Sequence, residues 1–281
     1  MHVNYPIKSL NSWRLGDRVR YFSQPQSLEA LVSLYEQYQH VPTIWLGLGS
    51  NILFSDDVLN AHIIRTNKAL SVMSFDQYFY VEAGVSLAKF AKFCMKHGCV
   101  DAVFLAGIPG TIGGALAMNA GAYKYEIWQH VDSVTVLTSK GIRTLLPSDF
   151  KIGYRCVQGP KDLICFLSAK LSFIPSCALE AKKTMKQFLL QRNTTQPIGT
   201  FNCGSVFRNP EGQSAGKMVD QLGLLGYQVG MARVSPKHGN FIENIQGKAT
   251  SADVRQIIQF IKEQVFAEYG IQLQLEVKVY E

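Results

Sequence analysis

From Ala102 to Met118 the chain carries no charged side chain, yet it holds Pro109 and the glycines 107, 110, 113 and 114. Apolar sequence of this kind must be buried, in a membrane or inside a folded domain. The stretch is shorter than a typical span of about 20 residues, and its proline and glycines interrupt a helix. It therefore reads as a buried loop running into the start of a helix. With 281 residues, 47% of them hydrophobic and 17% charged, the chain suffices for two or three small domains around real cores. No internal repeat or low-complexity segment is visible.

The pattern on either side is mixed. Ser27 can cap a helix of roughly 28–38, where Leu28, Leu31, Val32 and Tyr35 recur at helical spacing. "TIWLGLGSN" reads as a buried strand entering a turn, and "AHIIRT" and "YFYVEAG" as further strands. Ser86 opens a helix with Leu87, Phe90, Ala91 and Cys94 on one face and Gly98 as its stop. "SVTVLTSKGIRTLL" is a hairpin turning at Lys140-Gly141, and "LICFLSAKLSF" a strand. A basic helix covers 178–192, and "NTTQPIG" is a linker with a domain boundary. Helices follow near 215–222 and 252–268. The chain closes in a strand, "IQLQLEVKVY", with Leu273, Leu275, Val277 and Val279 on one face and Glu276 on the other. No regular βαβ rhythm appears, so the fold class is α+β.

The net charge of +7 favours anionic ligands, but the basic residues are scattered and mark no nucleic-acid tract. Phosphate-bearing small molecules fit as well. The six cysteines form no C-x-x-C pair, and "MHVNYPIKSLNS" lacks a signal-peptide pattern, which points to free thiols in a reducing cytoplasm. Cys94, His97 and Cys99 superficially suggest metal. Placed on an apolar helix face and past its stop, they read better as structural, and no metal is expected.

Five places could carry chemistry. "GLGSN", Gly47 to Asn51, follows a buried strand, and its N–H groups could cradle an oxyanion such as a pyrophosphate. On these residues alone a plain tight turn is the stronger reading. "AGIPGTIGGALAMNAGAY", 106–123, is too glycine-dense for turns alone, but it is not G-x-G-x-x-G in a βαβ unit. It suits a loop along a dinucleotide, or close packing through small residues. "DFKIGYRCV" puts Tyr154 and Arg155 after a turn. "FNCGSVFRNP" puts Ser205 behind a glycine but lacks the G-x-S-x-G of a nucleophile elbow. Glu276 lies on the polar face of the last strand, where a glutamate is usually just solvated.

In this order, with "GSVFRNP" followed by "SAGKMVDQLGLLGYQVG" and "VSPKHGNFIEN", these segments closely resemble the UDP-N-acetylenolpyruvoylglucosamine reductases, the MurB flavoenzyme family of bacterial peptidoglycan synthesis. The resemblance runs from about Asn11 to Glu276. The short connection between Tyr154 and Ser205 resembles the family's shorter subtype, which lacks a substrate-covering tyrosine loop. The resemblance implies a two-lobed FAD-binding domain of the vanillyl-alcohol-oxidase (PCMH) type and a C-terminal α+β substrate-binding domain. Its lobes would be 1–67, joined by 271–281, and 68–196, with the substrate domain at 197–270. FAD would lie against Gly47, Leu48, Gly49, Ser50, Asn51 and Ile52, and against Gly107, Ile108, Pro109, Gly110, Thr111, Gly113 and Gly114. Asn119, Gly121 and Ala122 would sit nearby. The catalytic trio would be Arg155, Ser205 and Glu276. Tyr154, Asn209, Lys217, Lys237 and His238 would serve the substrate, and the role of Arg208 stays open.

The implied reaction explains these residue types. Hydride passes from NADPH to FAD and on to the vinyl carbon of an enolpyruvyl ether of UDP-N-acetylglucosamine. Arg155, permanently cationic and planar, suits the carboxylate of the developing enolate. Glu276 suits it only if burial keeps the acid neutral and donating. Ser205 needs no triad, because a hydroxyl can act as a positioned acid towards a basic enolate. The implied partner is a small molecule only, with neither nucleic acid nor membrane insertion, and a monomer is expected. Two departures from the family's pattern, Cys156-Val157 after the arginine and Gly16-Asp17 where two glycines are common, touch details of carboxylate and flavin contacts. Another flavoprotein oxidase of the same fold, or a non-catalytic nucleotide-binding protein, are the competing readings.

Overall fold

The structure, a computed structural model, describes all 281 residues. In chain order its strands are β1 (His2–Pro6), β2 (Arg18–Ser23), β3 (Thr43–Leu46), β4 (Ile52–Phe54), β5 (Leu59–Arg65), β6 (Met73–Phe75), β7 (Phe79–Glu82), β8 (Gly121–Ala122) and β9 (Tyr125–Glu126). They continue as β10 (Val131–Thr138), β11 (Gly141–Leu145), β12 (Lys151–Gly153), β13 (Cys156–Gln158), β14 (Leu163–Leu171), β15 (Gln228–Val229), β16 (Ala232–Val234), β17 (Ile242–Asn244) and β18 (Lys278–Tyr280). The α-helices are α1 (Leu28–Gln37), α2 (Leu87–Lys96), α3 (Ile112–Met118), α4 (Ala178–Thr195), α5 (Ala215–Gln221) and α6 (Ser251–Tyr269). Strands and helices mix as an α+β fold. Two compact units result: a terminal unit of Met1–Phe22, Gly49–His62 and Asn193–Glu281, and a central unit of Ser23–Leu48 and Ile63–Arg192.

The central unit is built on an antiparallel sheet in the order β11-β10-β14-β7-β6. Its β14 is buried on both faces. Phe166, Ala169 and Leu171 join a core with α2 and α3, while Cys165 and Leu167 join a second core with Leu31 and Ile64. This explains why "LICFLSAKLSF" is apolar nearly throughout. Ser27 caps α1 by accepting from the Ala30 N–H, whereas Ser86 stands at the start of α2 without a side-chain cap. The uncharged stretch forms a 3-10 segment, Val100–Gly107, and then α3, both largely buried. No helix is long and apolar enough to cross a membrane.

The terminal unit draws its core from distant parts of the chain. Trp13, Leu53, Phe207, Ile257 and Val277 pack in one cluster. The buried Trp13 indole donates to the Ile242 carbonyl at 2.7 Å, and the Asn244 amide donates to the Trp13 carbonyl at 2.7 Å. The N-terminus of α6 is capped twice. Thr250 and Asp253 form a capping box, and the Asp56 carboxylate accepts from the Ser251 and Ala252 N–H groups at 2.9 and 3.0 Å.

Two expected elements differ. Helix α4 continues to Thr195, so "NTT" of the expected linker is its last turn. No helix breaker precedes Pro197, and the helix stops just before it. The terminal strand is not continuous. Only Lys278–Tyr280 forms a ladder, parallel to β4, while Leu275 makes an isolated antiparallel bridge to Phe207. The segment changes partner between Glu276 and Lys278, because the Glu276 N–H donates to Val206 and the Lys278 N–H to Asn51.

Candidate active site

In the central unit, the segment 110–113 lies along 83–87 like a short strand. The Ile112 and Gly113 N–H groups donate to the Val85 and Ala83 carbonyls, and the Leu87 N–H donates to Gly110. A Cβ on Gly113 would stand 2.9 Å from that of Ala83, and one on Gly47 only 2.4 Å from the Thr111 Oγ1. These glycines let two walls close on each other, with Thr111 also capping α3. The Gly113 amide, expected to face a ligand, is thus used inside the frame. Between the walls lies an open cavity of about 210 Å³, lined by Trp45, Gly47, Thr66, Thr111, Gly114 and Cys165 among others. Its lining is mostly apolar, with threonine hydroxyls and glycine backbone, which suits a flat, polar-edged group such as part of a dinucleotide. Trp45, Thr66 and Cys165 escaped sequence reasoning, because on paper they are ordinary strand residues.

Tyr154 and Arg155 form the two-residue turn between β12 and β13, rather than following a turn, since Gly153 pairs with Cys156. Arg155 adopts a left-handed φ of 52°, uncommon for a side chain of this size. Its guanidinium donates to the Asn119 carbonyl at 3.2 Å and to the Gly121 carbonyl at 2.7 Å. It also stands 5.0 Å from the centre of the Tyr154 ring. These contacts fix the plane of the fork. Asn119, buried at the left-handed C-cap of α3, donates to Glu126 and Gly153 and accepts from the Trp128 N–H. Its side chain therefore secures the hairpin that carries Arg155.

The segments that carry Ser205 and Glu276 come together in the terminal unit, although the two residues are 71 positions apart in the chain (276 − 205). The Val206 carbonyl, one residue past the serine, accepts from the Glu276 N–H at 2.8 Å. The Arg208 N–H donates to Gln274 at 2.9 Å, and the Asn51 amide donates to the Glu276 carbonyl at 3.0 Å. Gly204 precedes the serine with φ of 80°. Cys203 is fully buried beneath this seam. Burial, and secondly the charge of Glu276, push its thiol well above the usual range, so it is inert.

Of the other expected ligand residues, Gly49, Ser50, Asn51 and Ile52 belong to the terminal unit, and Gly47 and Leu48 to the central one. Gly49 needs φ of 67°, and any Cβ there would strike the Leu10 carbonyl. Gly107, Ile108 and Pro109 close the 3-10 segment, and Gly121 and Ala122 form β8. Asn209 is exposed and accepts from the Ala215 N–H at the start of α5, which also carries the exposed Lys217. The Lys237 ammonium donates to the Asn193 carbonyl at 2.6 Å. His238 is half-buried. Burial lowers its pKa, and its Nδ1 accepts from the Asn240 N–H, so the neutral ring carries its proton on Nε2. The Nε of Arg208 is buried without a partner.

The chain belongs to a flavin-binding class of proteins: residues 17–145 match an FAD binding domain model, and residues 196–280 match the C-terminal domain of UDP-N-acetylenolpyruvoylglucosamine reductase. The similarity extends over the whole chain. A reductase of that name from Coxiella burnetii (strain Dugway 5J108-111) is 39% identical over 302 aligned positions, covering 99% of this chain and 95% of its relative. One from Methylococcus capsulatus is 40% identical over 279 positions, covering 98% and 91%. The crystal structure of the Thermus caldophilus enzyme superposes with a TM-score of 0.84 at 28% identity, covering 98% and 97%. The chain belongs to the UDP-N-acetylenolpyruvoylglucosamine reductase family.

Proposed function

We propose that this protein reduces the enolpyruvyl ether of UDP-N-acetylglucosamine to UDP-N-acetylmuramate, using FAD and NADPH, in the cytoplasmic stage of peptidoglycan synthesis. The observation that carries this reading is full-length membership of the reductase family, joined to a serine turn hydrogen-bonded to the Glu276 segment. The glycine-walled cavity beside Thr111 fits part of FAD. Residues 47–52 and 107–114, with Asn119, Gly121 and Ala122 nearby, would hold it. When bound, FAD supplies the chemistry of accepting a hydride from NADPH and delivering it to the terminal vinyl carbon of the substrate.

The chain's own residues act on the other half of the reaction. Arg155, its plane set by two carbonyls, pairs with the substrate carboxylate and stabilises the enolate that develops as hydride arrives. Ser205 gives its hydroxyl proton to the former vinyl carbon that carries the carboxylate, and water restores it. Glu276 donates a hydrogen bond to the enolate only in its protonated form. Hydride on one former vinyl carbon and a proton on the other complete the reduction of the double bond. Tyr154, Asn209, Lys217 and Lys237 hold the sugar nucleotide, and His238 adds a single neutral Nε2–H donor. We assign the substrate-binding part to residues 197–270, and the FAD-binding lobes to 1–67 with 271–281 and to 68–196.

Purified protein tests this directly. It is expected to bind FAD, turn yellow and oxidise NADPH only when the enolpyruvyl sugar nucleotide is present. Protein that takes up no FAD, or oxidises NADPH equally without the sugar nucleotide, sinks the proposal.

A further inference from the structure

Asn240 is 3% exposed and lies within "VSPKHGNFIEN", where the resemblance implied no role for it. Its side chain does the work of a strand partner. Its Oδ1 accepts from the Phe207 N–H at 2.8 Å, and its Nδ2 donates to the Phe207 carbonyl at 2.8 Å. Its own carbonyl accepts from the Val206 N–H at 2.9 Å. From the other side, Val206 accepts from the Glu276 N–H, and the Arg208 N–H donates to Gln274. Every backbone polar group from the Val206 N–H to the Arg208 N–H is therefore paired. Three of these five bonds involve Asn240, and the other two the segment that carries Glu276.

The geometry bears on Ser205 directly. The peptide after its Cα is held by the Asn240 carbonyl, and the next peptide lies between the Asn240 amide and the Glu276 N–H. Asn240 thereby sets where the serine stands relative to the glutamate. It is braced from behind. Its N–H donates to the His238 Nδ1 at 3.1 Å. The His238 ring rests on Gly216 of α5, where a Cβ would come within 2.8 Å of the ring. Only glycine allows that approach.

We propose that Asn240 is a positioning residue for proton delivery by Ser205, acting through the Val206–Phe207 backbone and touching no substrate itself. The inference rests on the reading of Ser205 as proton donor. Asn240→Asp keeps the shape and the acceptor but removes the donor to the Phe207 carbonyl, setting two oxygens against each other.

The test uses the FAD-loaded enzyme and measures flavin reduction by NADPH separately from flavin reoxidation by the enolpyruvyl sugar nucleotide. Asn240→Asp is expected to slow reoxidation by about tenfold or more, with flavin reduction and sugar-nucleotide affinity within about twofold of the parent. In a Ser205→Ala background the same change should cost reoxidation nothing further, since the group being positioned is gone. Equal slowing of both half-reactions, or a loss that adds fully to that of Ser205→Ala, overturns the proposal. If Asn240→Asp does not accumulate folded, Gly216→Ala presses on His238 and through it on Asn240. Read at saturating sugar nucleotide, because His238 is itself assigned to that ligand, it should show the same selective loss at smaller size, and an unselective loss again overturns the inference. Ser205→Ala alone separates the two claims: if it slows both half-reactions equally, the proton-donor reading fails by itself, whatever Asn240 does.

Discussion

The glycine cradle of the central unit and the serine seam of the terminal unit reach order by opposite means. The cradle is made of absences. Gly47 and Gly113 leave room for walls to meet, and the loop hangs on backbone bonds to Ala83 and Val85. The seam is made of a presence, the Asn240 side chain standing in for a strand. A cradle for a large, flat group needs space and a stiff wall. A proton donor needs one hydroxyl held within a fraction of an ångström, because small misplacements of reacting groups cost rate steeply. On the proposed function, one chain would place a cofactor by subtraction and a catalytic group by clamping.

Substitutions can break that contrast. The largest effect is expected at the seam, where Ser205→Ala should slow reoxidation of reduced flavin by substrate at least about 100-fold and spare reduction by NADPH. Stopped-flow absorbance of the flavin reads both. Next comes Arg155→Gly, which removes the guanidinium while suiting the left-handed turn at φ of 52°. Activity should fall about 100-fold with the melting temperature unchanged or raised. A lower melting temperature would show that the two carbonyl contacts matter more to the fold than the turn strain.

At the cradle, Gly47→Ala should weaken FAD binding about tenfold, because its Cβ would meet the Thr111 side chain. Gly114→Ala meets only an ordinary protein contact at 3.7 Å, so its melting temperature should match the parent's. Parent-like FAD affinity in Gly47→Ala would end the account of the cradle as space rather than chemistry. Away from both sites, Asp56→Ala removes the second cap of α6 and should cost about 1–2 kcal/mol of stability, read by denaturant melts.

The smallest effect is one of pH. Burial first, and the amino terminus second, push His62 of the terminal unit down to about 4. A lowered folded pKa means the unfolded chain takes the proton more readily. The stability is complete above the unfolded value of about 6.5 and is lost as pH falls towards 4. By pH 5.5 the loss from this one group is about 1 kcal/mol, at 1.36 kcal/mol per unit. In the central unit, burial also lowers His130, but Asp101 works against that shift. Acid should therefore loosen amide protection in the terminal unit first, and the reverse order would count against the burial of His62.

How much was legible depends on the distance over which each feature acts. Helices α1, α2 and α6 were readable because spacing and stop signals are local: Ser27, Gly98 and the 252–268 apolar stripe lie inside the elements they specify. The resemblance carried the family and the order of its segments. The end of α4 was misjudged because a run of polar residues looks like a linker until a proline actually stops the helix. The last strand was misjudged because alternation records which residues face inward but not which partner accepts their hydrogen bonds.

The amino-acid sequence by itself therefore determined the α+β class and the glycines that any cradle would need, and its resemblance singled out Arg155, Ser205 and Glu276 for the proposed roles. Tertiary structure alone decided that some of those glycines serve packing, that Asn119 holds the arginine's hairpin, and that Asn240 clamps the serine turn opposite the Glu276 segment. The reason is physical. Local pattern follows from each residue's own backbone and hydrophobic preferences, whereas a buried amide or a missing Cβ acquires its role only from the group that folding brings against it.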